Sequence, residues 1–98
     1  MSVYMIVEAK EVFNTAKYGE YVRLVPALVE KFGGRYLARG GEVTVVEGDW
    51  KPQRLVIVEF GSLDQFRAWW NSPEYRKIAH LREQGAKTHA VIVQGISR

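Results

Sequence analysis

Arg54-Leu-Val-Ile-Val-Glu-Phe60, RLVIVEF in one-letter code, decides the fold because it is apolar on both faces. Read as a strand, Leu55 and Ile57 point one way while Val56, Val58 and Phe60 point the other. A sheet with one face in water alternates apolar with polar residues, and this stretch does not. The strand therefore lies inside a sheet that is covered twice.

Working outward, two more segments read the same way. Val3 to Val12 is mostly β-branched or apolar, with Ile6 opposing Met5 and Val7; in Lys87 to Gly95 (KTHAVIVQG), Val91 and Val93 oppose Ala90 and Ile92. Between them run helical patterns. Asn14 is an N-cap, and Tyr18, Tyr21, Val22, Val25, Leu28, Val29 and Phe32 then fall on one helical face. Pro26 should kink that helix, and Gly33-Gly34 ends it. Ser62-Leu-Asp-Gln65 has capping-box form and opens a short helix through Trp70. Ser72-Pro73 restarts it as a second helix that buries Tyr75, Ile78, Ala79 and the stem of Arg82 and stops at Gly85.

The order is β-α-β-β-α-β, a ferredoxin-like α+β fold with an antiparallel sheet and helices on one face. Both sheet faces are apolar, but the helices suffice for one. The bare face is an exposed apolar patch that calls for a second sheet, and a two-fold homodimer through that face is the simplest cover.

The 98 residues, 47% hydrophobic, make one domain over residues 1–98. A chain this short gains from a partner subunit. With no cysteine, disulfides, thiolate catalysis and Cys-type metal sites are excluded. No apolar run approaches the roughly 20 residues of a membrane span, and MSVYMIVEAKEV has no signal-peptide pattern, so the expected location is cytoplasmic. The net charge of +3, from 14 basic and 11 acidic residues, is mild and interspersed. An RNA-binding module of this strand order needs a Lys/Arg-Gly-aromatic pattern on its third strand. RLVIVEF has no glycine and only Phe60 at its far end, so no nucleic-acid partner is expected.

Residues 34–50, GRYLARGGEVTVVEGDW, link the first helix to the third strand. Gly40-Gly41 precedes no helix, which weakens a phosphate cradle, and a hairpin turn there leaves Tyr36 to Arg39 paired with Glu42 to Val45 as a stub. Pairing Glu47 with Arg54 across Gly48–Gln53 sets Val46 opposite Leu55, Val43 opposite Val58 and Glu42 opposite Glu59. Two facing carboxylates repel, whereas a bulge at Gly40-Gly41 shifts the phase and brings Arg39 to Glu59. The expectation is one long bent strand whose arginine meets a carboxylate.

The motifs GGRYLARGG, EGDW, LVIVEF and NSPEY, in this order and spacing, resemble the family called domain of unknown function 1330, within the dimeric α+β barrel superfamily. The resemblance covers nearly the whole chain. It implies a ferredoxin-like protomer that pairs sheet to sheet, and no established activity. The chain departs from the family's usual pattern at Asn14-Thr15, where Asp-Pro is common, and at Gly61, where proline is usual.

The candidate site residues follow. Arg39 beside Glu59 either grips an anionic substrate group, with the carboxylate as acid or base, or closes the sheet as an ion pair. Trp50 lies about 11 extended residues from Arg39, on the order of 30 Å. It is therefore expected at the other end of the sheet, with Glu8, Tyr18, Arg82 and His89, capping a pocket or packing on the partner. Asn71 and Tyr75 flank the helix break and either line a pocket or simply serve the turn. Trp69 and Trp70 read as core and interface. His80 and His89 have no second ligand at metal spacing, so no metal and no cofactor is expected. The reading is a homodimer that binds a small anionic or aromatic organic molecule between sheet and helices. By fold-level analogy it is open to cofactor-independent chemistry with catalytic Glu59, anchor Arg39, and Tyr18, Asn71 and Tyr75 orienting the ligand. The alternative is a non-catalytic sensing or interaction dimer.

Overall fold

The structure is a computed structural model that describes residues 1–96. Its elements are β1 (Val3–Val12), α1 (Thr15–Lys31), β2 (Arg35–Arg39), β3 (Leu55–Phe60), α2 (Leu63–Trp70), α3 (Pro73–Gly85) and β4 (Ala86–Gln94). The strands form one sheet in the order β2-β3-β1-β4, with every pairing antiparallel. This is the ferredoxin-like topology.

Local chemistry accounts for the helix ends. The Lys17 N–H donates to Asn14 Oδ1 at 3.1 Å, the Gln65 N–H to Ser62 Oγ at 3.1 Å, and the Tyr75 N–H to Ser72 Oγ at 3.1 Å. α1 runs on through Pro26 as one element. At its end Gly33 takes φ +83°, and the Gly33 and Gly34 N–H groups return to the Glu30 and Val29 carbonyls. That is a Schellman end, which a Cβ at Gly33 would strain.

The helices cover the face carrying Val3, Met5, Val58 and Phe60, which join Val25, Val29, Trp69 and Tyr75 in one buried core. Phe60, Trp69 and Tyr75 are its largest members, and the Trp69 and Tyr75 rings lie 4.2 Å apart. Burying each such side chain contributes about 1.5–3 kcal/mol. On the opposite face Val91 and Val93 stay 61% and 49% exposed beside Ile6, Ile57 and Tyr4. The molecule is a slab of 37 × 36 × 17 Å, one sheet layer and one helix layer.

The long bent strand is not found. β2 stops at Arg39, Gly40 turns out of the sheet at φ +78°, and residues 41–54 carry no strand. Val46, expected opposite Leu55, is 95% exposed. The register instead sets Arg35 opposite Glu59, Tyr36 opposite Val58 and Arg39 opposite Val56, with the irregularity between Tyr36 and Ala38 rather than at Gly40-Gly41. This register wins because it sets opposite charges face to face at Arg35 and Glu59 and turns Tyr36 to the helix side. It also lets Gly34 pass close beside the buried Phe60 ring, where a side chain would not fit.

Candidate functional site

A cavity of about 80 Å³ lies between the helix side of the sheet and the helices. Its floor is Met5, Val7, Val56 and Val58. α1 contributes Tyr18, Tyr21, Val22 and Val25, a spacing that stacks residues on one helical face. α2 supplies Trp69 and Trp70; α3 supplies Tyr75 and, two turns on, Arg82. Tyr36 and Arg39 come from the end of β2.

The polar groups are connected. Arg82 Nη1 donates to Tyr75 Oη at 2.9 Å, and Tyr75 Oη lies 2.8 Å from Tyr21 Oη. The Arg82 guanidinium also sits 5.2 Å from the centre of the Trp70 ring, and Arg39 lies 4.8 Å over Tyr36. Such cation–aromatic contacts orient a guanidinium without neutralising it. The nearest carboxylate to Arg82 is the exposed Glu83 at 3.7 Å, and among the described residues no ion pair engages Arg39. Among the described residues no Asp, Glu, His, Asn or Gln lines the cavity. The result is an aromatic-walled space with two guanidinium groups and no counter-charge of its own.

Burial shapes the tyrosines. It pushes the Tyr21 hydroxyl far above its ordinary range, with the Tyr75 hydroxyl adding to the effect. Tyr18 and Tyr75 are also raised by burial, against the pull of Arg82 and, for Tyr18, of Arg54. Tyr36 is pushed up to about 12 because its burial outweighs the neighbouring Arg39. All four are neutral hydrogen-bond donors at physiological pH.

Of the residues expected at the site, the structure brings Arg39, Tyr18 and Tyr75 into this one cavity. Arg39 sits opposite Val56 and not beside Glu59, so it belongs to the end that holds Tyr18 and Arg82. Glu59 projects from the other face of the sheet, between the buried Val58 and Phe60. There it accepts from Arg35 Nη2 at 2.7 Å and Nε at 3.2 Å, and that guanidinium holds its carboxyl below the usual range. Asn71 is the exposed C-cap of α2, and Trp50 is 59% exposed on the loop that follows β2; neither reaches the cavity.

Sequence reasoning missed Tyr21, Tyr36 and Arg82 as site residues. The available signal was chemical: Tyr18, Tyr21 and Tyr75 occupy core-facing positions, and a buried phenol needs a partner. Among the described residues no group of three His, Cys, Asp or Glu side chains is placed to hold a metal, and no helix is long and apolar enough to cross a membrane.

Comparison with known proteins adds the following. The family model described as Domain of unknown function (DUF1330) matches residues 2–96. No curated protein matches the chain. Among solved structures, the RPA0582 protein of unknown function from Rhodopseudomonas palustris is similar at a TM-score of 0.77 and 16% identity, over 99% of this chain and 84% of that one. A dimeric ferredoxin-like protein of unknown function from Jannaschia sp. CCS1 gives 0.73 and 12%, over 97% and 100%. SnoaB, a cofactor-independent oxygenase from Streptomyces nogalater, gives 0.70 and 13%, over 99% and 95%. At these identities the likeness establishes the fold.

Proposed function

The chain belongs to the DUF1330 family, and from that premise we propose that it is a homodimer binding a small anionic aromatic molecule in the cavity between sheet and helices. One observation carries the reading: Arg39 and Arg82 line an aromatic-walled cavity that contains no carboxylate. Among the described residues Arg82 is part-buried with only the exposed Glu83 at 3.7 Å as a carboxylate neighbour, and Arg39 stands exposed at the rim, so an anionic ligand gives both a closer, charge-assisted partner. The part-buried Tyr21 and Trp70 rings supply aromatic surface for an aromatic body.

Pairing through the bare sheet face is supported by the exposed Val91 and Val93 beside Ile6 and Ile57. It is also supported by a fold neighbour described as dimeric. Native mass spectrometry of protein purified without dialysis tests both parts. The expected result is a dimer carrying an organic adduct that is lost in an Arg39→Ala/Arg82→Gln variant. A monomer at micromolar concentration sinks the dimer, and an adduct unaffected by both substitutions sinks the cavity.

Whether chemistry accompanies binding turns on Glu59. In a catalytic version Arg39 anchors the anion and Glu59 serves as acid or base, with a cofactor-independent oxygenase among the fold neighbours as analogy. Binding without turnover is favoured by the position of Glu59 on the opposite face of the sheet and by the lack of any carboxylate or imidazole at the cavity. Turnover that disappears in Glu59→Gln while ligand affinity persists would reverse that preference.

A further inference from the structure

The hydrogen-bond count around Arg82, Tyr75 and Tyr21 specifies more than charge. The two phenols carry two hydroxyl protons, and one O–H···O contact of 2.8 Å joins them. If Tyr75 donates, the Tyr21 proton has no acceptor among the described residues. If Tyr21 donates, Tyr75 accepts from both Tyr21 and Arg82, and its own proton is left over. Either way one phenol proton remains free.

Two further residues that line the cavity carry donors. Trp69 lines the same cavity, is 1% exposed, and has an indole N–H with no partner. Arg82 commits one N–H to Tyr75, and its contact with Glu83 at 3.7 Å is beyond hydrogen-bond range. On the accepting side, among the described residues the cavity is lined only by hydroxyls, those of Thr88 and the tyrosines, and by no carboxylate, amide or imidazole side chain. A buried donor without an acceptor, as at Trp69 Nε1, is rare in folded proteins and costly to leave unpaired.

Resting on the cavity reading above, we propose that the ligand is a planar organic acid bound as its conjugate base. Its charged oxygen accepts from the Tyr21–Tyr75 pair and the Arg82 guanidinium. A phenolate, enolate or aromatic carboxylate meets this requirement because it brings acceptors and no donors. An amine fails twice: its N–H groups face donors, and its charge faces two guanidinium groups. The raised pKa values of the four tyrosines agree, since they keep the phenols protonated and donating. Binding then selects the ionised ligand from solution, and the protein gives up no proton to hold it.

The test uses para-nitrophenol, whose ionised form absorbs visible light. Titrated with excess protein, its apparent pKa should fall by at least about one unit, a tenfold preference for phenolate over phenol. Benzoate should displace it, and benzylammonium, of similar shape and opposite charge, should not. In Arg82→Gln and in Tyr21→Phe/Tyr75→Phe the pKa shift should shrink at least threefold. Both variants should still bind para-nitroanisole, a neutral ether on the same ring, and should lose less affinity for it than for para-nitrophenolate. Either single Tyr→Phe change leaves one phenol proton free and should keep most of the shift. Bound para-nitrophenol with an unchanged or raised pKa, or benzylammonium binding as tightly as benzoate, overturns the proposal and leaves the cavity reading standing. If none of the four aromatic probes binds, the cavity reading fails and this one with it.

Discussion

Replacing Gly34 by alanine tests the packing that holds β2 in register. A Cβ built there lies 2.6 Å from Val29 Cγ1 and 2.8 and 3.0 Å from two Phe60 ring carbons. Gly34 is not at positive φ, so backbone strain does not enter. Val29 and Phe60 are 1% and 0% exposed, so neither has solvent to move into. Overpacking of this kind costs about 1–3 kcal/mol, and the stiffer unfolded chain returns about 0.4–1 kcal/mol. The net loss of about 0.5–2 kcal/mol corresponds, for a domain of this size, to a fall in Tm of roughly 3–15 °C. Gly41→Ala is the control: its Cβ meets nothing within 4 Å, and its φ is not positive. That variant should match the wild type or gain slightly. Thermal unfolding followed by circular dichroism at equal protein concentration reads both, because association shifts Tm. Val29→Ala should cost less in the Gly34→Ala background than in the wild type, a favourable coupling between touching sites. Gly34→Ala as stable as Gly41→Ala would refute the close approach and, with it, the stated reason for the register.

Other consequences are simpler to check. Asn14→Ala removes the acceptor for the Lys17 N–H and should destabilise the protein by about 1 kcal/mol in urea unfolding. Glu59 has a lowered pKa in the fold, so its contribution is present above the unfolded value and is lost as pH falls through the folded one. Glu59→Gln should therefore show a shallower decline in stability on acidification than wild type, by a small margin because Arg35 is 72% exposed. Tyr36 has the opposite sign: with its pKa raised from 10.0 to about 12, its contribution is complete below pH 10 and lost as pH rises toward 12. Tyr36→Phe should flatten that alkaline decline, and ultraviolet titration of the wild type should show a tyrosine ionising late.

The elements were legible because their signals are local. Capping residues Asn14, Ser62 and Ser72 bond where their positions imply, and Gly33 supplies the left-handed residue that ends α1. The bare sheet face was legible because RLVIVEF is apolar on both faces while the helices suffice for one. The register of β2 was not, because pairing depends on which contacts form at a distance. Glu47 with Arg54 and Arg35 with Glu59 each offered an opposite-charge pair, and only the packing of Gly34 and Tyr36 separates the two. That error moved Arg39 to the wrong end and joined it to Glu59. Tyr18 and Tyr75 could be marked from sequence as polar groups beside apolar neighbours. The link from Arg82 through Tyr75 to Tyr21 joins α3 to α1 and has no trace in residue spacing.

The alternation along β3 has a consequence for how this protein can change over time. Val56 and Val58 form cavity floor, while Leu55, Ile57 and Glu59 look the other way, toward the proposed partner. In the proposed dimer, the surface offered to a ligand and the surface offered to the partner fall on even and odd positions of a single six-residue strand. A substitution at one position revises one property and leaves the other's surface untouched. If both proposals hold, such a leaf can acquire new ligands without renegotiating its partner, so long as the backbone between the two faces keeps its twist.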